Sequence, residues 1–582
     1  MTHAYPVYTI EAECQDCYKC VRHCPVKAIR VRDGHAAVIP ELCVACGKCV
    51  EVCPVKAKQV RNGTGRLRLL LSEPAPVYAS LAPSWVSEFK NVTSGQLIRA
   101  LKQLGFAGVS ETALGAQLVS AQVARELDGG VTGLLLSSAC PTAVDFVRKY
   151  LPHLAGCITP VGSPLMAHAR MLRDRYGDGI RVVFIGPCIG KKNEADRNPK
   201  LLNLAVTYPE LRQMFREASI HPERLAADPA DRFVPEAAEE GAQYPVEGGM
   251  NDTIRFQTAD AKVHYATLTG LDNLKLALGG LEGMPEGEAV FVEMLACPGG
   301  CVHGPCAEHD SPGLLERLRV LRHTRWPDRP RERSTSGSIH AKFPGDAVAA
   351  PVPAGNDIVA ALRSIGKTCP EDELNCDGCG YDTCRNFAQA LLSGHAEPSM
   401  CVSYLKKQAQ KKANALLRSI SSGVVIADEK LQIIECNRNF AQLSGADTVE
   451  AFHACPGLAG ADLSRIVPFY ALFESSLQSG RDVRRDSLKC GKRLFNVNIF
   501  NIEPGEVIGA VMFDVTSTEL RREQIAARAR EVIDRNLATV QEIACRLGEQ
   551  MADTELLLRS IADDYADETL IPPEPPPEEQ PL

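Results

Sequence analysis

Three apolar runs stand out along the middle of the chain: GLLLSS at 133–138, RVVFIG at 181–186 and AVFVEML at 289–295. Each is short, rich in branched aliphatic residues and bounded by Gly or Pro, which predicts buried strands. Helical patterns alternate with them from 75 to 322, so this stretch is predicted to be an α/β domain. Residues 410–518 follow another rhythm. SSGVVIADEKLQIIECNRNFAQLSG (421–445) reads as strand, DEK turn, strand, then a helix entered at Asn437. RLFNVNIFNIEPGEVIGAVMFDVTS (493–517) adds antiparallel strands broken at Glu503-Pro504-Gly505. Residues 519–563 predict one long helix. Its apolar positions Ile533, Leu537, Val540, Ala544, Leu547, Met551, Thr554, Leu558 and Ile561 alternate four and three apart. That seam predicts a coiled coil, and with it a homodimer through 519–563. The competing reading is an amphipathic helix lying on its own domain. Residues 323–353, rich in Pro, Gly, Ser and Arg, read as a linker, and the acidic proline-rich 564–582 as a disordered tail. Residues 1–62 hold few large apolar side chains and cannot close a hydrocarbon core without metal. The fold class expected is therefore multidomain, mixing α+β and α/β parts.

Composition narrows the function. The 582 residues, 45% hydrophobic and 23% charged, are ordinary for a globular protein of several domains. A net charge of -8 argues against nucleic-acid and anionic-membrane partners. No run of about 18 apolar residues exists to span a membrane. MTHAYPVYTI lacks the charged-then-apolar profile of a signal peptide, so a cytoplasmic protein is expected. The 23 cysteines fall into spaced runs within a long chain, which points to metal binding in a reducing compartment and away from a disulfide scaffold.

The first runs are Cys14-x2-Cys17-x2-Cys20-x3-Cys24-Pro25 and Cys43-x2-Cys46-x2-Cys49-x3-Cys53-Pro54. A tight loop supplies three thiolates to a [4Fe–4S] cube and the other run supplies the fourth. Cys14, Cys17, Cys20 and Cys53 then hold one cluster, and Cys43, Cys46, Cys49 and Cys24 the other. Two zinc knuckles are the competing reading. The duplicated pattern resembles the bacterial two-cluster ferredoxins, which relay electrons. Further on, Cys140, Cys188, Cys297 and Cys301 each follow the end of a predicted strand. Ligands gather at the carboxyl ends of parallel strands, so these loops can present four thiolates in one place.

SSACP, PCIGKKNEAD and EMLACPGGCVHGP resemble the three motif loops of the [FeFe]-hydrogenases, and LAPSW (81–85) resembles that family's first cofactor-facing strand end. The likeness covers about 75–315. It implies that Cys140, Cys188, Cys297 and Cys301 bind a cube, and that Cys301 also bridges it to a diiron subsite with carbonyl and cyanide ligands; together these form the H-cluster. Lys191 would donate to one cyanide, and Pro83 and Ser84 would approach the other. Departures matter as much. The family's proton-passing cysteine before Cys140 is here Ala139, and its packing methionines are Gly186 and Leu295. Its paired glutamates appear as Gln122-Val123, with only Glu126 kept. Losing a positioned acid–base group costs about 10²–10⁴-fold in rate. A slow hydrogen-binding protein suits a sensor better than a bulk enzyme.

Cys376-x2-Cys379-x4-Cys384-x16-Cys401 resembles a small [4Fe–4S] module of redox complexes (354–408), with zinc as the alternative. Cys369 does not fit that set. Residues 410–518 resemble a PAS domain whose ligand is not legible; Cys436, Cys455 and Cys490 read as structural. The leading expectation is a sensory [FeFe]-hydrogenase that binds H2, exchanges electrons with a partner such as ferredoxin and signals to a kinase or phosphatase. The alternatives are a ferredoxin-linked catalytic hydrogenase and an iron–sulfur switch lacking the diiron subsite.

Overall fold

The computed structural model describes residues 5–258, 262–281, 287–348, 353–491, 493–516, 532–537 and 539–540. The chain divides into two units, Met1–Cys401 and Val402–Leu582.

The predicted strands form at Gly133–Leu136, Arg181–Gly186 and Ala289–Leu295. They do not share one sheet. Arg181–Gly186 lies inside a four-stranded parallel sheet, between Val77–Leu81 and Leu204–Thr207, with Gly108–Glu111 at the far edge. Ala289–Leu295 is the middle of a separate three-stranded parallel sheet, between Val263–Thr269 and Gly133–Leu136. The motif loops therefore come from two sheets. Between them runs Ala113–Asp128, a helix buried on nearly every face. A side chain at Gly115 would start 2.0 Å from the Pro164 carbonyl, so only glycine lets this helix approach Pro164–Tyr176 so closely.

The head builds two short hairpin-like pairings, Val7–Thr9 with Lys58–Val60 and Ile29–Arg32 with His35–Val38. Its helices Lys19–Arg22 and Lys48–Val52 each carry the third cysteine of a run. Positive φ at Asp16, Tyr18, Ala45 and Gly47 folds the cysteine loops tightly.

Two boundaries differ from the sequence reading. The expected linker is a bound strap: Gly162 N–H donates to Ile339 O at 2.7 Å, Ala341 N–H to Pro160 O at 3.0 Å, and Arg333 pairs with Glu239 and Glu240. Proline-rich composition forbids regular structure, not docking. The boundary expected between 408 and 410 falls instead at 401/402, where the first unit ends and the helix Val402–Ser419 begins.

The second unit is a five-stranded antiparallel sheet in the order Ile433–Cys436, Gly423–Asp428, Val507–Asp514, Arg493–Glu503, Val483–Cys490. Asn437 caps the following helix, its Oδ1 accepting from Phe440 N–H at 2.8 Å. Leu537 and Val540, two seam positions, pack with Leu417, Phe500 and Val511 on this sheet. Over 532–537 and 539–540 the helix thus lies on its own domain; the seam from Ala544 onward and the 564–582 tail lie outside the described residues.

Candidate metal centre

Each central thiol is placed by a local device. Cys140 stands at the N-terminal end of the helix Pro141–Tyr150, where Pro141 needs no backbone donor. Cys188 sits in the turn between Arg181–Gly186 and the helix Gly190–Arg197; a Cβ on Gly190 would strike Thr142 Oγ1 at 2.4 Å. After Ala289–Leu295 the chain reverses through Gly299 and Gly300, both at positive φ, and so returns Cys301 beside Cys297. A Cβ on Gly300 would lie 2.4 Å from the Pro245 carbonyl.

The four thiols line one internal cavity with Thr142, Ile189 and Pro305. All four are partly accessible. Burial raises the Cys297 and Cys301 thiols far above the usual range, and Cys188 to about 11. Neighbouring thiols raise them further, and Lys191 partly offsets this at Cys188 and Cys301. Clustered buried thiolates need a metal to be stable, so the donor set fits an iron–sulfur cube. Thiolates around a single zinc at about 2.3 Å would stand within about 4 Å of one another. Among the described residues, no three Cys, His, Asp or Glu side chains converge on a point that one ion could occupy.

A second cavity, of about 90 Å³, shares Cys140, Cys188 and Cys301 with the first. One water needs roughly 10–15 Å³ on the same measure, so several small groups fit. Its wall includes Pro83, Ser84, Thr112, Ala139, Lys191, Tyr244, Met250, Glu293 and Leu295. Lys191 Nζ donates to Ser163 Oγ at 3.1 Å and pairs with Glu194 at 2.7 Å, while Ser84 Oγ and Tyr208 Oη are 2.8 Å apart. At Gly186 the space a side chain would take is filled by the Phe184 ring, 2.5 Å from a built Cβ. Gln122 and Glu126 bond to each other at 3.3 Å but do not line the cavity.

Glu293 is the residue the sequence reading passed over. It is 1% exposed, accepts from Met250 N–H at 3.2 Å and Thr267 Oγ1 at 3.3 Å, and burial lifts its carboxyl to about 7. The signal was a lone carboxylate inside AVFVEML. Met250 likewise brings a thioether to the cavity from a helix outside the motif loops.

In the head, Cys17, Cys14 and Cys53 all act electrostatically on Cys20, and Cys46, Cys43 and Cys24 on Cys49. These are the crossed groupings expected from the spacing. Lys58, 2% exposed, donates to Thr9 Oγ1 and Ala36 O at 2.6 Å and offsets charge at both Cys20 and Cys49. Cys46 also lines the central thiol cavity, and Gly47, at φ +82°, lies against Pro305 and Ile189. In the small module, Cys379 is raised to about 11 by burial and then by Cys401 and Cys376; Cys384 and Cys401 are buried. Cys369 is exposed, its Sγ 3.4 Å from the Asp372 carboxylate. Cys436 lies in the core of the second unit with Cys490 packed against it, and Cys455 is exposed.

Residues 75–305 match the family described as iron only hydrogenase large subunit, C-terminal domain. The central body is similar to an iron-only hydrogenase domain. Around it, 6–54 match a 4Fe-4S dicluster domain, 372–403 an Fe-S cluster family and 412–484 a PAS domain. The chain is 28% identical over 369 residues to the periplasmic [Fe] hydrogenase large subunit of Nitratidesulfovibrio vulgaris, covering 53% of this chain and 87% of that one. It is 25% identical over 291 residues to iron hydrogenase 1 of Clostridium pasteurianum, covering 42% of this chain and only half of that one. The cytosolic Fe-S cluster assembly factor narfl of Xenopus tropicalis is 22% identical over 264 residues, covering 36% and 55%. A variant of [FeFe]-hydrogenase HydA1 from Chlamydomonas reinhardtii is 20% identical, covering 50% of this chain and all of that one, with a TM-score of 0.38. Among the described residues no helix is long and apolar enough to cross a membrane.

Proposed function

We propose that the chain is a sensory [FeFe]-hydrogenase: a cytoplasmic protein that binds H2 in the hydrogenase domain and turns it over slowly. In this reading it exchanges electrons with a donor such as ferredoxin and signals through its PAS half to a kinase or phosphatase. The observation that carries the reading is the pair of adjoining cavities sharing Cys140, Cys188 and Cys301, with Lys191 and Ala139 in the second wall. When bound there, a diiron group would supply the chemistry H2 = 2 H⁺ + 2 e⁻.

The chain's own residues do the rest. Cys140, Cys188, Cys297 and Cys301 hold the cube, and Cys301 faces both cavities. Lys191, held by Ser163 and Glu194, presents a cation to the second cavity, and Ser84 a hydroxyl. A charged donor of this kind contributes about 1.5–3 kcal/mol. Ala139 can hold no proton. Glu293 can, at its carboxyl oxygens, and with a value near neutrality it is matched to proton exchange at physiological pH. Clusters held by the head and module cysteines would carry the electrons.

The test compares the matured full-length protein under hydrogen and under inert gas by hydrogen exchange. Altered protection in Val402–Ser419 or the PAS strands supports the sensor. Identical exchange, with rapid hydrogen turnover, hands the lead to a catalytic hydrogenase. Lys191 and the four central cysteines weigh against the third reading, an iron–sulfur switch without a diiron group, and Ala139 and the PAS half weigh against the catalytic one.

A further inference from the structure

The small cysteine module does not stand apart from the head. Val31 N–H donates to His395 O at 2.9 Å, and Asp33 N–H to Glu397 Oε1 at 2.6 Å. Arg22 reaches both sides, donating to Cys17 O at 2.9 Å and to Gly378 O at 3.5 Å. Lys27 stands 3.9 Å from the Asp382 carboxylate. The two backbones also come close at Gly380, the residue after Cys379. It adopts φ +86°, and a Cβ there would lie 2.9 Å from Arg22 N and 3.0 Å from a Val21 methyl. Val21 and Arg22 lie between Cys20 and Cys24, so thiol-bearing loops of the two parts touch through their backbones.

Tyr381 fills the seam. It is 6% exposed, its ring centroid is 5.7 Å from that of Phe387, and its hydroxyl is buried with no hydrogen-bond partner among the described residues. Cys379 on one side and Cys24 on the other both bear on it electrostatically. A buried unsatisfied hydroxyl is costly, so Tyr381 serves this seam through the packing of its ring. Cys24 groups with Cys43, Cys46 and Cys49, and Cys46 also lines the thiol cavity of the hydrogenase domain.

We propose that Gly380 and Tyr381 seat the 376–401 module on the head, making the Cys24, Cys43, Cys46, Cys49 site a branch point for electrons. The site borders the hydrogenase domain through Cys46 and the module through Tyr381. With cubes in both sites, the one electron lost by the cube held here would be gained by the cube held by Cys376, Cys379, Cys384 and Cys401; no proton or further reactant is needed. Cys401 is followed directly by the helix Val402–Ser419, so this branch ends at the start of the second unit. The proposal rests on the cube assignments made above.

The experiment uses the reconstituted full-length protein, reduced with dithionite, with iron and sulfide counted and low-temperature electron paramagnetic resonance recorded. The wild type should show magnetic splitting between reduced head and module clusters, and Cys376→Ser should lose it. Gly380→Val, forced off Arg22, should keep the full iron count and lose the splitting. Tyr381→Phe, which removes only the unpartnered hydroxyl, should keep both. If Gly380→Val fails to fold, Asp382→Lys, which sets like charges at Lys27, should weaken the splitting instead. A full iron count without splitting in the wild type overturns the branch point, as does splitting that survives both Gly380→Val and Asp382→Lys. A wild-type count one cube short overturns the cube assignment, and this proposal with it.

Discussion

Glu293 offers a test that needs no assumption about what fills the cavity beside it. Its carboxyl is lifted from 4.5 to about 7, chiefly by burial, with Met250, Asn251 and Thr267 pulling the other way. A raised acid binds its proton more tightly in the folded protein than in the unfolded chain. Between about pH 4.5 and 7 the folded state therefore holds more protons, and stability falls as pH rises. The penalty is absent below the unfolded value and complete above the folded one. At 1.36 kcal/mol per pH unit, a difference of about 2.5 units is worth up to about 3 kcal/mol at pH 8. Glu293→Gln has no charge to desolvate, keeps an oxygen for Met250 N–H and removes the penalty. Native-state hydrogen exchange of the Ala289–Leu295 amides, compared between wild type and variant at each pH, reads this directly. The variant should gain protection progressively from pH 5 to 8 and little at pH 4.5. A gain that is the same at every pH would refute the buried ionisable carboxyl.

Other expectations follow from neighbouring residues. Ala139→Cys places a titratable thiol in the cavity wall and should raise hydrogen turnover or shift its pH profile; a wild type as fast as that variant would remove the argument for slow turnover. Gly47→Ala would set a methyl 2.5–2.8 Å from Pro305 and Ile189, against a positive φ, and should slow electron delivery from the head without loss of iron, measured by stopped-flow reduction. Leu547→Asp, on the heptad seam, should weaken self-association or partner binding and leave the iron signals intact, checked by analytical ultracentrifugation and absorption.

Much of the site was legible because cysteine spacing encodes loop geometry over a few residues. The head runs, the motif loops and the turns at Asn437 and Glu503-Pro504-Gly505 are local patterns, and the elements appear where those patterns lie. What stayed hidden is non-local. Nothing in 133–136, 181–186 or 289–295 says that they belong to two sheets, because each is buried on both faces either way. Composition marked 323–353 as a linker, yet its backbone finds Pro160, Gly162 and Arg148 as partners, a choice no local pattern records. Glu293 and Lys58 were visible as charges in apolar or cysteine-rich surroundings. Their roles depend on partners that lie 43 and 22 to 49 residues away.

If Cys301 joins two cofactor sites in one domain, its loss will show in the infrared spectrum. After maturation with the diiron cofactor, the wild-type protein should show iron-bound carbonyl and cyanide bands in the region where protein is transparent. Cys301→Ser, with the other three central cysteines intact, should abolish them. Bands that persist unchanged in that variant, or a matured wild type that never shows them, would contradict the account.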